Sequence, residues 1–165
     1  MFSQVEMRHS APRWVSACTF VLFLAIAGAG CQTLPLPPVN IAEAGWNLRQ
    51  GQAIWRPTRN KPEIVGEITV ARRPESNRAF IEFTKTPFPI LTAQLAEESW
   101  EINFVPERRS FHGKGEPPPR LIWLWVPVVL AGTPPPKNWS FRQLDPDHWQ
   151  LENSQTGESL EGFWQ

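Results

Sequence analysis

The chain has 165 residues with 16 basic and 16 acidic side chains, a balance that gives no electrostatic footprint for nucleic acid. Nine tryptophans and ten phenylalanines, without a single tyrosine, suffice to build one small core or to line an apolar pocket, and composition does not choose between them. The only two cysteines, Cys18 and Cys31, both lie near the N-terminus, so the remaining chain has no thiol for a disulfide, a structural zinc or a nucleophile.

Arg8, His9 and Arg13 precede an apolar run from Val15 to Ala27. A membrane span needs ~20 apolar residues, so this run is too short and matches the h-region of a secretory signal. Gly28, Ala29, Gly30 and Cys31 follow, which resembles a bacterial lipobox, with Gly28 where the usual pattern has leucine. The resemblance implies removal of residues 1–30 and attachment of diacylglycerol to the Cys31 thiol, with a further acyl chain on the new amino terminus. Several chains anchor stably because each buried methylene contributes ~0.8 kcal/mol. Gln32, rather than Asp, follows the cysteine, which in that class of signals points to the outer membrane. The alternative is an uncleaved N-terminal helix, in which Cys18 and Cys31 are free to pair.

Residues 31–40 read as the lipidated cysteine and a tether, with Pro35, Pro37 and Pro38 favouring an extended polyproline II path. Asn40 and Glu43 have the spacing of a capping box and predict a short helix to Ala44, stopped by Gly45. The domain then occupies 41–165. Strands are predicted at 48–56, 63–72, 78–85, 90–95, 100–104 and 108–113, from period-two alternation such as Ile64, Gly66, Ile68 and Val70 against Glu67 and Thr69. The short connections favour an antiparallel meander. After Pro117-Pro118-Pro119, the apolar run 121–131 predicts a buried helix that Pro127 kinks and Gly132 ends. Its Leu121, Leu124, Trp125 and Val128 share a face, whereas Trp123 and Trp125 point to different ones. A second proline run at 134–136 precedes a hairpin of 148–153 and 158–164.

Catalytic constellations are missing from this pattern. His112 and His148 are far apart in sequence and have no second ligand at metal spacing, and Asp145 and Asp147 flank Pro146 in a turn-like segment. Glu97 with Glu98 sits at a turn, and Gly113 with Gly115 lacks the strand-and-helix context of a phosphate loop. No nucleophile, base and orienter converge, so no enzyme activity, metal or cofactor is expected. The pairs Arg72-Arg73 and Arg108-Arg109 read as solvated faces, with contact to lipid phosphate as the alternative.

The order of lipobox, tether, short helix, strand meander, proline-flanked apolar helix and closing strands resembles the outer-membrane lipoprotein acceptor LolB, within the LolA/LolB-like superfamily. The resemblance rests on TKTPFPILTAQL (84–95), RQGQAIW (49–55) and PPPRLIWLWVPVVLAGTPPP (117–136). It implies a mainly β fold with short helices: a strongly bent antiparallel half-barrel sheet, with helices lidding the concave face over an apolar cavity. Pro87, Phe88 and Pro89 stand at the family's membrane-insertion loop, with Pro89 in place of its glycine. Trp55, Ile68, Phe83, Trp100, Phe104, Leu121 and Trp125 become acyl-cavity candidates, with ordinary core packing as the competing role. The C-terminal part is shorter than the family's by a strand or more, which implies a half-barrel that closes incompletely. Acyl chains of lipoproteins or phospholipid are the implied ligands, and a periplasmic LolA-like carrier is an implied partner. The chain would be a monomer, lipid-anchored in the outer membrane and facing the periplasm. Two other readings stand beside this one. One is an envelope-assembly lipoprotein with a filled core that binds a protein partner. The other is a sugar-binding module using Trp46, Trp139 and Trp149.

Overall fold

The computed structural model describes residues 35–165. The leader, the lipobox and Cys31 lie outside the described residues. Nine strands form one open, fully antiparallel sheet: β1 (Asn47–Arg56), β2 (Ile64–Arg73), β3 (Arg78–Lys85), β4 (Phe88–Ala96), β5 (Ser99–Phe104), β6 (Arg109–Lys114), β7 (Trp139–Asp145), β8 (His148–Asn153) and β9 (Ser159–Trp164). Their spatial order is β6-β5-β4-β3-β2-β1-β9-β8-β7. Two meanders, β1 to β6 and β7 to β9, are therefore joined where β9 pairs with β1, with Trp55 opposite Leu160 and Ala53 opposite Gly162.

The period-two pattern decides which face is buried. Ala53 and Trp55, Ile68 and Val70, Ile81 and Phe83, Leu91 and Ala93, Trp100 and Ile102, Trp149 and Leu151, and Leu160 all point to one face and all belong to the core. Gln50, Thr69, Glu82, Thr92 and Gln94 alternate with them on the other face. A one-residue slip would exchange these sets, so burial of one face fixes the register. Two pairs use glycine to seat an indole across the strands. Trp149 is paired with Gly162, and Trp100 with Gly113. A Cβ on Gly162 would lie 2.1 Å from the Trp149 ring, and one on Gly113 would lie 2.5 Å from the Trp100 ring.

One α-helix is present among the described residues, α1 (Ile122–Val129), and it packs on β2 to β5. Seven of its eight residues are buried, as expected for a helix apolar all round. Pro127 sits inside it, and Gly132, at φ +98°, turns the chain away after it. The described part thus carries one helix on the core face where the resemblance implied several.

Two further expectations are corrected. Residues 41–45 form turns instead of a helix. Asn40 Oδ1 accepts the Ala42 amide at 3.2 Å, and the Asn40 carbonyl accepts that of Glu43 at 3.3 Å. The Glu43 carboxylate reaches Arg73 at 3.7 Å instead of folding back, so the box never closes. Strand β7 was not anticipated. It follows the 134–136 prolines, and its alternation is weak, with only Trp139 buried.

Candidate functional site

The inner face gathers aromatic side chains that sequence alone could not place relative to one another. Trp123 of α1 stacks on Phe83, with centroids 5.0 Å apart, and meets Trp55 edge-on at 5.5 Å. Trp55 in turn stacks on Phe104 at 6.5 Å and meets Phe83 edge-on at 6.4 Å. Three of the acyl-cavity candidates, Trp55, Phe83 and Phe104, are therefore brought into one cluster, with Trp123 closing over it. Phe83 is fully buried, and Trp123 is 1% exposed. Ile68 lies in the same core, and Trp100 sits on it over Gly113. Among the described residues, these side chains pack on one another and on Trp123 of α1.

The remaining two candidates separate from the cluster. Leu121 is half-buried at the N-terminal end of α1. Trp125 donates its indole N–H to the Pro118 carbonyl at 3.4 Å. Together with Leu124, Val128 and Leu95 it lines a cleft of about 280 Å³ beside the β4–β5 turn. Trp123 and Trp125 do face apart, one into the core and the other into this cleft. The Trp123 indole nitrogen is buried and has no acceptor among the described residues. A donor left so costs about 1–3 kcal/mol, which burial of the ring must offset.

Phe88 stands at the tip of the β3–β4 hairpin, paired with Lys85 across the Thr86-Pro87 turn. It is 70% exposed, the most exposed large apolar side chain described, and Pro87 and Pro89 on either side are exposed with it. The hairpin is held from below. The Thr86 hydroxyl donates to Glu67 Oε1 at 3.0 Å, and the Val105 amide donates to the Ile90 carbonyl at 3.0 Å. Proline rings on both sides fix φ, so the phenyl group projects from a backbone with little freedom to fold it back.

Sequence reasoning passed over two acidic residues. Glu158, in the β8–β9 turn, accepts the Trp55 indole N–H at 3.1 Å. Burial pushes its carboxyl up to about 7, against a smaller opposing effect of that hydrogen bond. Glu101 is 6% exposed on the polar face and accepts the Leu36 amide at 2.6 Å and the Asn103 side-chain amide at 3.0 Å. Neither sits in a motif, and each acquires its surroundings from segments distant in sequence. The tryptophan platform of the sugar-binding reading does not form, because Trp149 is fully buried and Trp139 only 7% exposed. Among the described residues no His, Cys, Asp or Glu side chains cluster as a metal site. No protein-family model matches this chain, and no curated protein matches it.

Proposed function

We propose that this protein is a lipid-anchored, LolB-like outer-membrane lipoprotein that handles the acyl chains of other lipoproteins and touches the bilayer through Phe88. The observation that carries the reading is the rigid, 70% exposed phenyl group between two prolines at a hairpin tip. Leaving so large an apolar group in water is unfavourable by ~25 cal/mol per Å² of its surface, and insertion into an acyl layer removes that cost. The bent half-barrel of that family is the shape this reading assigns to the nine-stranded sheet. In it α1 is a closed lid: Trp123 occupies the place of an acyl chain against Phe83 and Trp55. A ligand enters by displacing that helix, exchanging one apolar contact surface for another at little net cost.

The test is transfer of a lipoprotein from a soluble carrier into vesicles by the membrane-purified protein. Phe88→Glu should leave the fold intact and cut insertion at least tenfold. Undiminished transfer in that variant would overturn the reading.

A second reading is favoured by the packed aromatic cluster of the inner face together with the edge position of β7 among the described strands, where Leu144 is 49% exposed. An edge strand of this kind can pair with a strand of another protein. Native mass spectrometry separates the two. Co-purified lipid supports acyl handling, and a single stoichiometric protein without lipid supports the partner-binding role.

A further inference from the structure

The antiparallel order brings every second turn to the same end of the sheet. The β1–β2 turn (57–63), the β3–β4 turn (86–87), the β5–β6 turn (105–108) and the β8–β9 turn (154–158) share the end that carries Phe88. Arg59, Lys61, Lys85 and Arg108 are all exposed at this end, and none has a salt-bridge partner among the described residues. Lys137 and Arg120 continue the rim, lining a cleft with Gln155 and Thr156 of the β8–β9 turn. Two of the carboxylates here are paired with arginines, while Glu67 and Glu158 accept hydrogen bonds from Thr86 and Trp55. Glu63 pairs with Arg56 and Glu107 with Arg109. The opposite end carries Glu75, Glu97, Glu98, Asp145 and Asp147, with Arg72, Arg78 and Lys114 on the strands beside them and Arg49 paired to Asp147. A chain of zero formal net charge is thus polarised along its strands.

Beside three turns at the basic end an exposed apolar side chain adjoins the cations, in β2, in β4 and in the β5–β6 turn. Val65 is 54% exposed beyond Lys61, Phe88 70% beyond Lys85, and Val105 42% before Arg108. Apolar groups that enter the acyl boundary, flanked by cations at headgroup level, are the pattern of an interfacial surface. Each Lys or Arg held near an anionic bilayer contributes about 1 kcal/mol, a factor of about five in binding.

We infer that this rim of turns is a docking surface for the phosphate headgroups of an anionic phospholipid bilayer, with Phe88, Val65 and Val105 entering between them. This rests on the reading that Phe88 meets a membrane, and it adds the chemistry of the lipid and the residues that select it. Peptide or nucleic-acid polyanions are the competing occupants.

The test uses the full-length protein purified from membranes and reconstituted into vesicles of phosphatidylcholine alone or with phosphatidylglycerol at about a third of the lipid. Hydrogen exchange is followed in the turns. Protection of 57–63, 86–90 and 105–109 should appear on the anionic vesicles and vanish in high salt. The double variant Lys85→Gln/Arg108→Gln should lower the docked-to-undocked ratio about 25-fold, about fivefold per charge. Lys114→Gln, at the other end, should not change it. Protection confined to 86–90 and equal on both vesicle types would overturn the headgroup assignment while keeping the Phe88 contact. Absence of protection on either vesicle would overturn both. Protection by soluble heparin equal to that by anionic vesicles would assign the rim to a polyanion and overturn the lipid proposal.

Discussion

At Gly162 and Gly113 the absence of a side chain has a direct structural use. Each lies opposite a tryptophan whose ring covers it, so a methyl group has no place to go at 2.1 Å and 2.5 Å. Overpacking of this kind costs about 1–3 kcal/mol. Gly162→Ala should therefore lower the denaturant midpoint clearly, whereas a Cβ at Gly115 meets nothing within 4 Å and should cost only the strain of its φ of +73°. Equal losses in the two variants would show that backbone conformation, not the indole, sets the requirement. A second single-residue effect is electrostatic. The carboxyl of Glu158 is pushed from 4.5 up to about 7, chiefly by burial, so the fold favours its protonated form. Its contribution to stability is complete below pH 4.5 and is lost as pH rises through 7. Glu158→Gln keeps an acceptor for the Trp55 indole without the charge. It should leave stability at pH 4.5 nearly unchanged, raise it at pH 8, and flatten the slope between them in denaturation curves at a series of pH values. A slope unchanged by this substitution would assign the pH dependence elsewhere.

At the level of elements, α1 is the piece whose role separates the two functional readings. Trp123 fills the inner face against Phe83 and Trp55, so Trp123→Ala should cost about 3–5 kcal/mol of stability and leave a void beside those rings. If that face accepts acyl chains, a fluorescent fatty acid should bind the variant more tightly than the parent, because the plug no longer competes. Weaker or equal binding would count against acyl handling and for a permanently filled core. Most strands were legible because one face of each is buried, which writes the alternation Ile64, Gly66, Ile68, Val70 into the chain, and the β3–β4 and final hairpins follow from it. The helix was legible as an apolar run between prolines, although its burial on nearly all sides left no stripe to orient it. Strand β7 was hidden because it is an edge strand with one buried residue, so its pattern carries no strong period. The 40–43 box failed because the Glu43 side chain had a nearby cation to pair with, and sequence spacing is blind to Arg73 across the fold. The exposure of Phe88 could be argued from its proline neighbours. The Glu158–Trp55 bond could not, since it joins residues 103 apart.

Across the whole molecule, the polar face of the sheet is also where the tether is fixed. Leu36, Pro38 and Val39 line a cleft of about 290 Å³ with Phe80, Thr92 and Gln94, and the Leu36 amide is held by the buried carboxylate of Glu101. The Gln94 and Asn103 side-chain amides share that carboxylate. Within the described residues, the proline-rich segment is thus fixed to the sheet from Leu36. If Cys31 bears the lipid, the five residues from there to Leu36 span at most ~18 Å whatever path they take. The six residues of β4 from Gln94 to Phe88 extend ~20 Å toward the basic end. With Leu36 clasped, a tether of that maximum reach falls about 2 Å short of the level of Phe88, so the clasp opposes simultaneous contact of anchor and phenyl wedge with one bilayer. Releasing the clasp lengthens the available chain to Asn40. Glu101→Ala removes the acceptor and leaves Leu36, Gln94 and Asn103 donors unpaired, at about 1–3 kcal/mol. It should speed hydrogen exchange of the Leu36 amide at least tenfold while the strand amides of β1 and β2 keep their protection. In vesicles it should also raise the protection of residues 86–90, because the freed tether lets the tip settle on the membrane. Faster exchange at Leu36 with no change at 86–90 would mean that the clasp fixes the tether without governing the approach of the tip. An unchanged Leu36 would mean that packing of Pro38 and Val39, and not the carboxylate, holds the segment down.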